Sequence, residues 1–344
     1  MRKTLRAFSL VLTIGLAGAG CRSAQTLING AGATFPYPIY SEWFDEYVKV
    51  DPSVRFNYQS IGSGGGIKAL RDNTVDFGAS DAPLSDAQLQ QMPRPVFHFP
   101  TVMGAVVLAY NLPRVTTQLK LTGPAIADIY LGKVLKWSDP ELVALNPGVA
   151  LPNDPIMVAH RSDGSGTTYI FADYLSKVSP EWSSKIGKGT SLKWPVGLGG
   201  KGNEGVTGVV QQTPGAIGYV ELIYALSNKI PYALLKNRDG NWINASLEGV
   251  TAAAAGAAPN MPDDFRVSIT NAPGAQAYPI SSFTYLLVYK TQSDRVKGEA
   301  LVQFLKWALS TGQSYTGSLN YAALPPAVIA KAEKQVDAIV LPAS

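Results

Sequence analysis

Residues 155–167, Pro-Ile-Met-Val-Ala-His-Arg-Ser-Asp-Gly-Ser-Gly-Thr, decide how the chain reads. Residues 155–159 are an apolar, strand-like run, residues 161–167 a loop of small residues with an arginine at its mouth, and a helical pattern follows directly. Such a junction suits an anion. The first N–H groups of a helix have no internal partner, and the helix dipole places partial positive charge there. Arg161 adds a planar fork that matches a tetrahedral oxyanion, and Ser165 and Thr167 add hydroxyls. Gly166 lets the backbone approach a ligand, and Asp163 is placed to pair with Arg161 and fix its orientation. The plain alternative is a tight Asp-Gly turn.

Two loops of the same type lie upstream. Residues 30–35 (GAGATF) precede a helical stretch from Pro36, and residues 62–66 (GSGGG) precede one at 67–73. Three hydroxyl-bearing loops at three helix starts can converge on one small oxyanion. The first loop lacks the third glycine of a dinucleotide fingerprint, since Phe35 stands there, and Thr34 serves equally well as a helix cap. The second is not a nucleotide P-loop, because Lys68 does not directly follow Gly66 and no Ser or Thr follows Lys68. Asp81 follows a strand-like run at 75–79. Beside an anion, an acid suits a ligand that still carries a proton, as phosphate does at neutral pH and sulfate does not. The alternative for Asp81 is a cap for the helical stretch after Pro83.

A chain of 344 residues exceeds the ~250–300 at which one core stops growing, so two lobes are expected. The alternation of strand, loop and helix predicts an α/β fold with mostly parallel sheets flanked by helices, and a ligand beyond the carboxyl ends of the strands. Strands are predicted at 54–58, 101–110 and 283–289, and helices at 124–131, 139–145, 206–212, 248–258, 294–309 and 326–340. Residues 259–281 read as loop. The simplest division gives residues 26–105 plus 283–344 to lobe I and residues 106–282 to lobe II, joined by a hinge of two crossings.

Of 29 basic residues, Arg2, Lys3 and Arg6 lie in residues 1–20, which hold no acid, and 25 acidic residues balance the rest. A nearly neutral remainder without a basic stripe argues against nucleic acid. Residues 1–20 read as a secretory signal: a basic start, an apolar stretch at 7–16 and small residues at 17–20. The apolar stretch is shorter than the roughly 20 residues that span a bilayer. Cys21, the single cysteine, follows it. Gly18-Ala-Gly-Cys21 resembles a lipobox, with Gly18 where leucine is usual, and Cys21 is the candidate for lipidation; ordinary cleavage after residue 19 is the alternative. His98 and His160 belong to no ligand cluster, so no metal or cofactor is expected.

Residues 30–36 (GAGATFP), 61–66 (IGSGGG), 73–85 (NTVDFGASDAPLS), 161–168 (RSDGSGTT), 200–206 (GKGNEGV) and 214–221 (PGAIGYVE) occur in the order found in the periplasmic phosphate-binding proteins of phosphate-specific ABC transporters, and the chain resembles that family from about Gly30 to its C-terminus. The resemblance implies a two-lobed periplasmic-binding-protein fold of type II that closes on one phosphate and delivers it to a membrane permease and its ATPase. It implies phosphate contacts from Thr34, Phe35 (through its backbone), Ser63 and Asp81 in lobe I. In lobe II it implies contacts from Arg161, Ser165, Gly166 and Thr167, with Asp163 orienting the arginine. Gly64 departs from the serine common in relatives. An exported monomer without catalysis is expected, in the periplasm or anchored at the cell surface. The alternatives are a binder of another oxyanion, such as sulfate, molybdate or arsenate, and a phosphatase using Ser165 as nucleophile, for which no oriented base is evident.

Overall fold

The computed structural model describes residues 25–343; the expected signal at 1–20 and Cys21 lie outside them. Eleven strands occur among the described residues: β1 (Thr26–Gly32), β2 (Val54–Ser60), β3 (Phe77–Ser80), β4 (Val96–Tyr110), β5 (Lys120–Leu121), β6 (Met157–Arg161), β7 (Leu198–Gly200), β8 (Ala216–Glu221), β9 (Leu234–Lys236), β10 (Trp242–Ile243) and β11 (Ser281–Tyr289). Eight of them form one sheet in the order β2-β1-β3-β11-β4-β8-β6-β7, and β10-β9-β5 form a small second sheet.

The fold is α/β and two-lobed. At one end β2, β1 and β3 run parallel, and at the other β8, β6 and β7 do. Antiparallel β11 and β4 join the two ends. The fifteen-residue β4 belongs to both: its residues up to Ala105 pair with β11, and from Val106 onward they pair with β8. Sequence reading starts this strand at 101, whereas it begins at Val96 and runs through Pro100, which has no N–H to donate to a ladder. The sheet accommodates the proline with a register shift opposite Thr284 and Tyr285. Thr101 then bonds the Tyr40 hydroxyl at 2.8 Å and the Thr284 carbonyl at 3.2 Å.

Helices cover both faces. Tyr37–Val50 carries Tyr40, Trp43, Phe44 and Tyr47 on one stripe at the three-and-four spacing of a buried helix face. That stripe packs on Phe56, Phe304 and Trp307; the Phe44 and Phe56 rings stack at 4.7 Å, and those of Phe56 and Phe304 lie 4.4 Å apart. The glycine run read as a loop is the first turn of a helix, Ser63–Arg71. The alanine-rich stretch forms Leu247–Ala255, with Val250, Ala253 and Ala254 buried, and is not merely a surface helix.

Residues 261–270 tie the two ends together a further time. Lys331, on the helix Pro326–Asp337, donates to Met261 O at 2.5 Å and pairs with Asp263 at 2.7 Å. Arg266 donates to Leu84 O at 3.1 Å and reaches Asp86 at 2.6 Å. Ser268 and Thr270 instead donate to Asp173 at 2.6 and 2.5 Å, on the helix Gly166–Val178. No described helix is long and apolar enough to cross a membrane.

Candidate functional site

The carboxyl ends of β1, β2, β3 and β6 feed the segments that carry all eight residues singled out as contacts. Thr34, Phe35, Ser63, Asp81, Arg161, Ser165, Gly166 and Thr167 are all buried where the two lobes meet. Ser63 Oγ accepts hydrogen bonds from Asp81 N at 3.2 Å and, across the lobes, from Gly166 N at 3.0 Å. Gly64 N donates to Gly164 O at 2.8 Å. A Cβ at Gly166 would stand 2.5 Å from both Asp81 Oδ2 and Ser63 Oγ, so only glycine admits this approach.

Arg161 ends β6 with its side chain buried. Its guanidinium grips Asp163 in two parallel bonds, Nε to Oδ1 at 2.8 Å and Nη2 to Oδ2 at 2.5 Å, while Nη1 donates to Thr167 Oγ1 at 3.3 Å. Asp163 also accepts from Gly202 N at 3.0 Å. Burial alone would raise the Asp163 carboxyl; the Arg161 bonds and charge outweigh it and hold the group below its ordinary value. Asp163 thus holds the arginine in a bidentate pair. Ser165 Oγ accepts from Thr168 N at 3.0 Å and caps the helix Gly166–Val178.

Asp81 is not a helix cap. Ser85 caps the helix Asp86–Gln90 in a reciprocal box with Gln88. Asp81 faces the cluster, and its Oδ1 accepts from Thr284 at 2.8 Å. Burial pushes its carboxyl up to about 7, against the pull of the Thr284 hydroxyl and the Arg161 charge. Thr34 likewise makes no cap; the helix Tyr37–Val50 starts at Pro36 without a side-chain cap.

The backbone of 33–35 is held by three tyrosines. Tyr58 donates to Ala33 O at 2.7 Å, Tyr224 to Thr34 O at 2.6 Å and Tyr321 to Phe35 O at 2.6 Å. A trans peptide sets each C=O and the next N–H on opposite sides, so the N–H groups of Thr34 and Phe35 face away from Tyr58 and Tyr224.

Sequence reading missed Asn203, Thr284 and these tyrosines as parts of the site. Asn203 follows Gly202, whose φ of +72° is a left-handed conformation that favours glycine. Its amide donates to Thr34 Oγ1 at 2.8 Å and to Thr167 Oγ1 at 3.2 Å. The only hint was its place in the motif at 200–206. Glu221, in the motif at 214–221, is fully buried beside them; its Oε2 accepts from Ile223 N at 2.7 Å, Oε1 has no partner, and burial holds the group well above the ordinary glutamate value.

His160 stacks on Trp194 at 4.8 Å, and its Nδ1 lies 3.0 Å from Arg161 O. His98 Nε2 accepts from Leu84 N at 3.0 Å, and burial pushes its ring down to about 4. Among the described residues, no three His, Cys, Asp or Glu side chains form a group that could hold a metal.

Residues 19–311 match the family model described as a PBP superfamily domain. The phosphate-binding protein PstS of Xylella fastidiosa is 47% identical over 312 residues, covering 90% of this chain and 84% of that one. The corresponding protein of Haemophilus influenzae is 44% identical over 309 residues, covering 90% and 92%. The chain belongs to the PstS family. Its fold matches that of a phosphate-binding protein from Stenotrophomonas maltophilia, with a TM-score of 0.70 at 19% identity over 90% of this chain and 93% of the other. It also matches a high-affinity periplasmic phosphate-binding protein bound with phosphate, with a TM-score of 0.72 at 19% identity over 89% and 93%.

Proposed function

We propose that the protein captures one inorganic phosphate between its lobes, through Thr34, the Phe35 backbone, Ser63 and Asp81 on one side and Arg161, Ser165, Gly166 and Thr167 on the other. The observation that carries this reading is the composition of the eight-residue cluster: hydroxyl and backbone donors, the Arg161 cation, which Asp163 holds from behind, and Asp81 as the one carboxyl among the eight. Donors and a cation suit an oxyanion; the carboxylate suits a ligand with a proton to give. Membership in the PstS family supports phosphate as that ligand and an ABC permease with its ATPase as the recipient. Residues 26–105 plus 283–344 and residues 106–282 are the two lobes, and the change of pairing partner within β4 at Ala105 and Val106 supports a hinge there. An extracytoplasmic location, lipidation of Cys21 and a monomeric state belong to the same reading. No catalytic role is assigned to Ser165, whose hydroxyl caps a helix while the His160 ring lies against Trp194.

Calorimetric titration with phosphate, sulfate and arsenate tests the reading. Phosphate should bind one to one, and sulfate should be rejected increasingly as the pH rises above about 7, where Asp81 is ionised and would face a lone pair, by as much as about 10⁴–10⁵-fold. Asp81→Asn supplies an amide donor of similar shape, so its phosphate-to-sulfate ratio should fall. Equal affinity of the wild-type protein for both anions, or an unchanged ratio in the mutant, would remove Asp81 from the site.

A further inference from the structure

A hydroxyl has one proton to donate and two lone pairs that accept. Thr34 Oγ1 accepts twice from Asn203, from Nδ2 at 2.8 Å and from the backbone N at 3.1 Å. Thr167 Oγ1 accepts from Asn203 Nδ2 at 3.2 Å and from Arg161 Nη1 at 3.3 Å. The two amide hydrogens of Asn203 thus serve one threonine each. The orientation of the amide follows from its other contact. Glu221 N lies 2.9 Å from Oδ1, and a backbone N–H only donates, so the oxygen faces Glu221 and the nitrogen faces the threonines.

We propose that Asn203 is a positioning residue that turns the Thr34 and Thr167 hydroxyls into obligate donors toward the bound anion. With both lone pairs of each oxygen filled by N–H groups, the remaining capacity of each threonine is its own proton. Ser63 is polarised the same way by Asp81 N and Gly166 N. Asp81 provides the acceptor of the set, with Oδ1 already taken by Thr284. The cluster therefore selects a ligand with several bare oxygens and one protonated oxygen. Because Thr34 and Thr167 come from opposite lobes, a single side chain orders donors on both sides of the cleft. This inference rests on the reading of the cluster as a phosphate site.

Asn203→Asp tests it. The variant keeps the shape and the acceptor for Glu221 N but replaces the donor nitrogen with a second acceptor, toward which both threonine protons would turn. Asn203→Ala removes the amide and frees one lone pair on each threonine. Phosphate affinity is measured by calorimetry, dissociation by stopped flow, and melting of the phosphate-free protein by calorimetric scanning. Asn203→Asp should weaken phosphate binding about a hundredfold or more and Asn203→Ala about tenfold, chiefly through faster dissociation, while the aspartate variant melts at or above the alanine one. In a Thr34→Val background the effect of Asn203→Ala should shrink, since one of its two targets is gone. A packing role predicts full additivity of Asn203→Ala with Thr34→Val, and that result overturns the inference, as does an alanine variant that binds phosphate more weakly than the aspartate one. So does an Asn203→Asp protein that binds phosphate within about threefold of wild type, a comparison that decides even where Asn203→Ala does not fold. Wild-type protein that binds no phosphate would overturn the functional reading itself, whereas wild-type binding with Asn203→Asp unaffected overturns this inference alone.

Discussion

Arg161 carries the positive charge of the cluster, and its position is fixed by Asp163. The bidentate grip of Asp163 uses Nε and one hydrogen of Nη2, leaving the other edge of the guanidinium for Thr167 and an anion. Buried charges of this kind cost several kcal/mol to desolvate and persist where they are paired. Arg161→Ala should therefore cost about 2–5 kcal/mol in phosphate binding, the range for truncating one partner of a buried charge pair. A titration that returns near-wild-type affinity for a folded Arg161→Ala protein would take the residue out of the site. The pairing of Arg161 was legible in the sequence because Asp163 and Thr167, which its guanidinium bonds, lie within six residues of it. Asn203 was not, because its contact Thr34 is 169 residues away and a single asparagine has no periodic signature.

At the scale of elements, local pattern gave strand and helix where side chains alternate or stripe, and failed where tertiary contacts override propensity. Glycines at 64–66 disfavour a helix, yet they form the first turn of Ser63–Arg71 because Gly66 packs against the backbone of Ala31 and Gly32, where a Cβ has no room. Short strands such as β5, β7, β9 and β10 escaped notice, since two or three residues carry no usable alternation. Residues 259–281 read correctly as lacking regular helix or strand over most of their length, but their role in tying the lobes is invisible without the fold. Asp173 anchors that segment. Burial would raise its carboxyl, but bonds from Lys188, Ser268 and Thr270 and the charge of Lys177 prevail and hold it well below the ordinary aspartate value. A depressed carboxylate stabilises the fold above its unfolded pKa, and that contribution fades as pH falls below the usual carboxylate range. Asp173→Ala should cost about 1–3 kcal/mol of stability at pH 7, the range for lost hydrogen bonds to a charged group, because Lys177 and Lys188 are partly exposed and regain water while the two hydroxyls lose their acceptor. The gap between wild-type and variant melting curves should hold from pH 7 to about pH 4 and narrow as the pH falls further toward about 2; a gap that stays constant to the lower limit would assign the loss to packing.

Over the whole molecule, the eight-stranded sheet passes without a break from one lobe to the other through β4 and β11, while the loops above its strand ends meet face to face. Around the cluster the lobes meet through polar contacts, Gly166 N to Ser63, Gly64 N to Gly164, Asn203 to Thr34, and Tyr224 to Thr34 O, and elsewhere through Arg266 to Leu84 O and Asp86 and Lys331 to Met261 O and Asp263. A ligand that contacts both lobes shifts the balance toward the closed form by its differential affinity for that form. Two lobes were legible from length and from strand–loop–helix order; the shared sheet was not, because pairing of β4 with both β11 and β8 depends on register across segments far apart in sequence. The central claim is that phosphate draws the two lobes together around the buried cluster. Small-angle scattering of one protein preparation in excess phosphate, excess sulfate and neither anion tests it most directly. The account predicts a smaller radius of gyration with phosphate alone, and the same radius in all three conditions would contradict it.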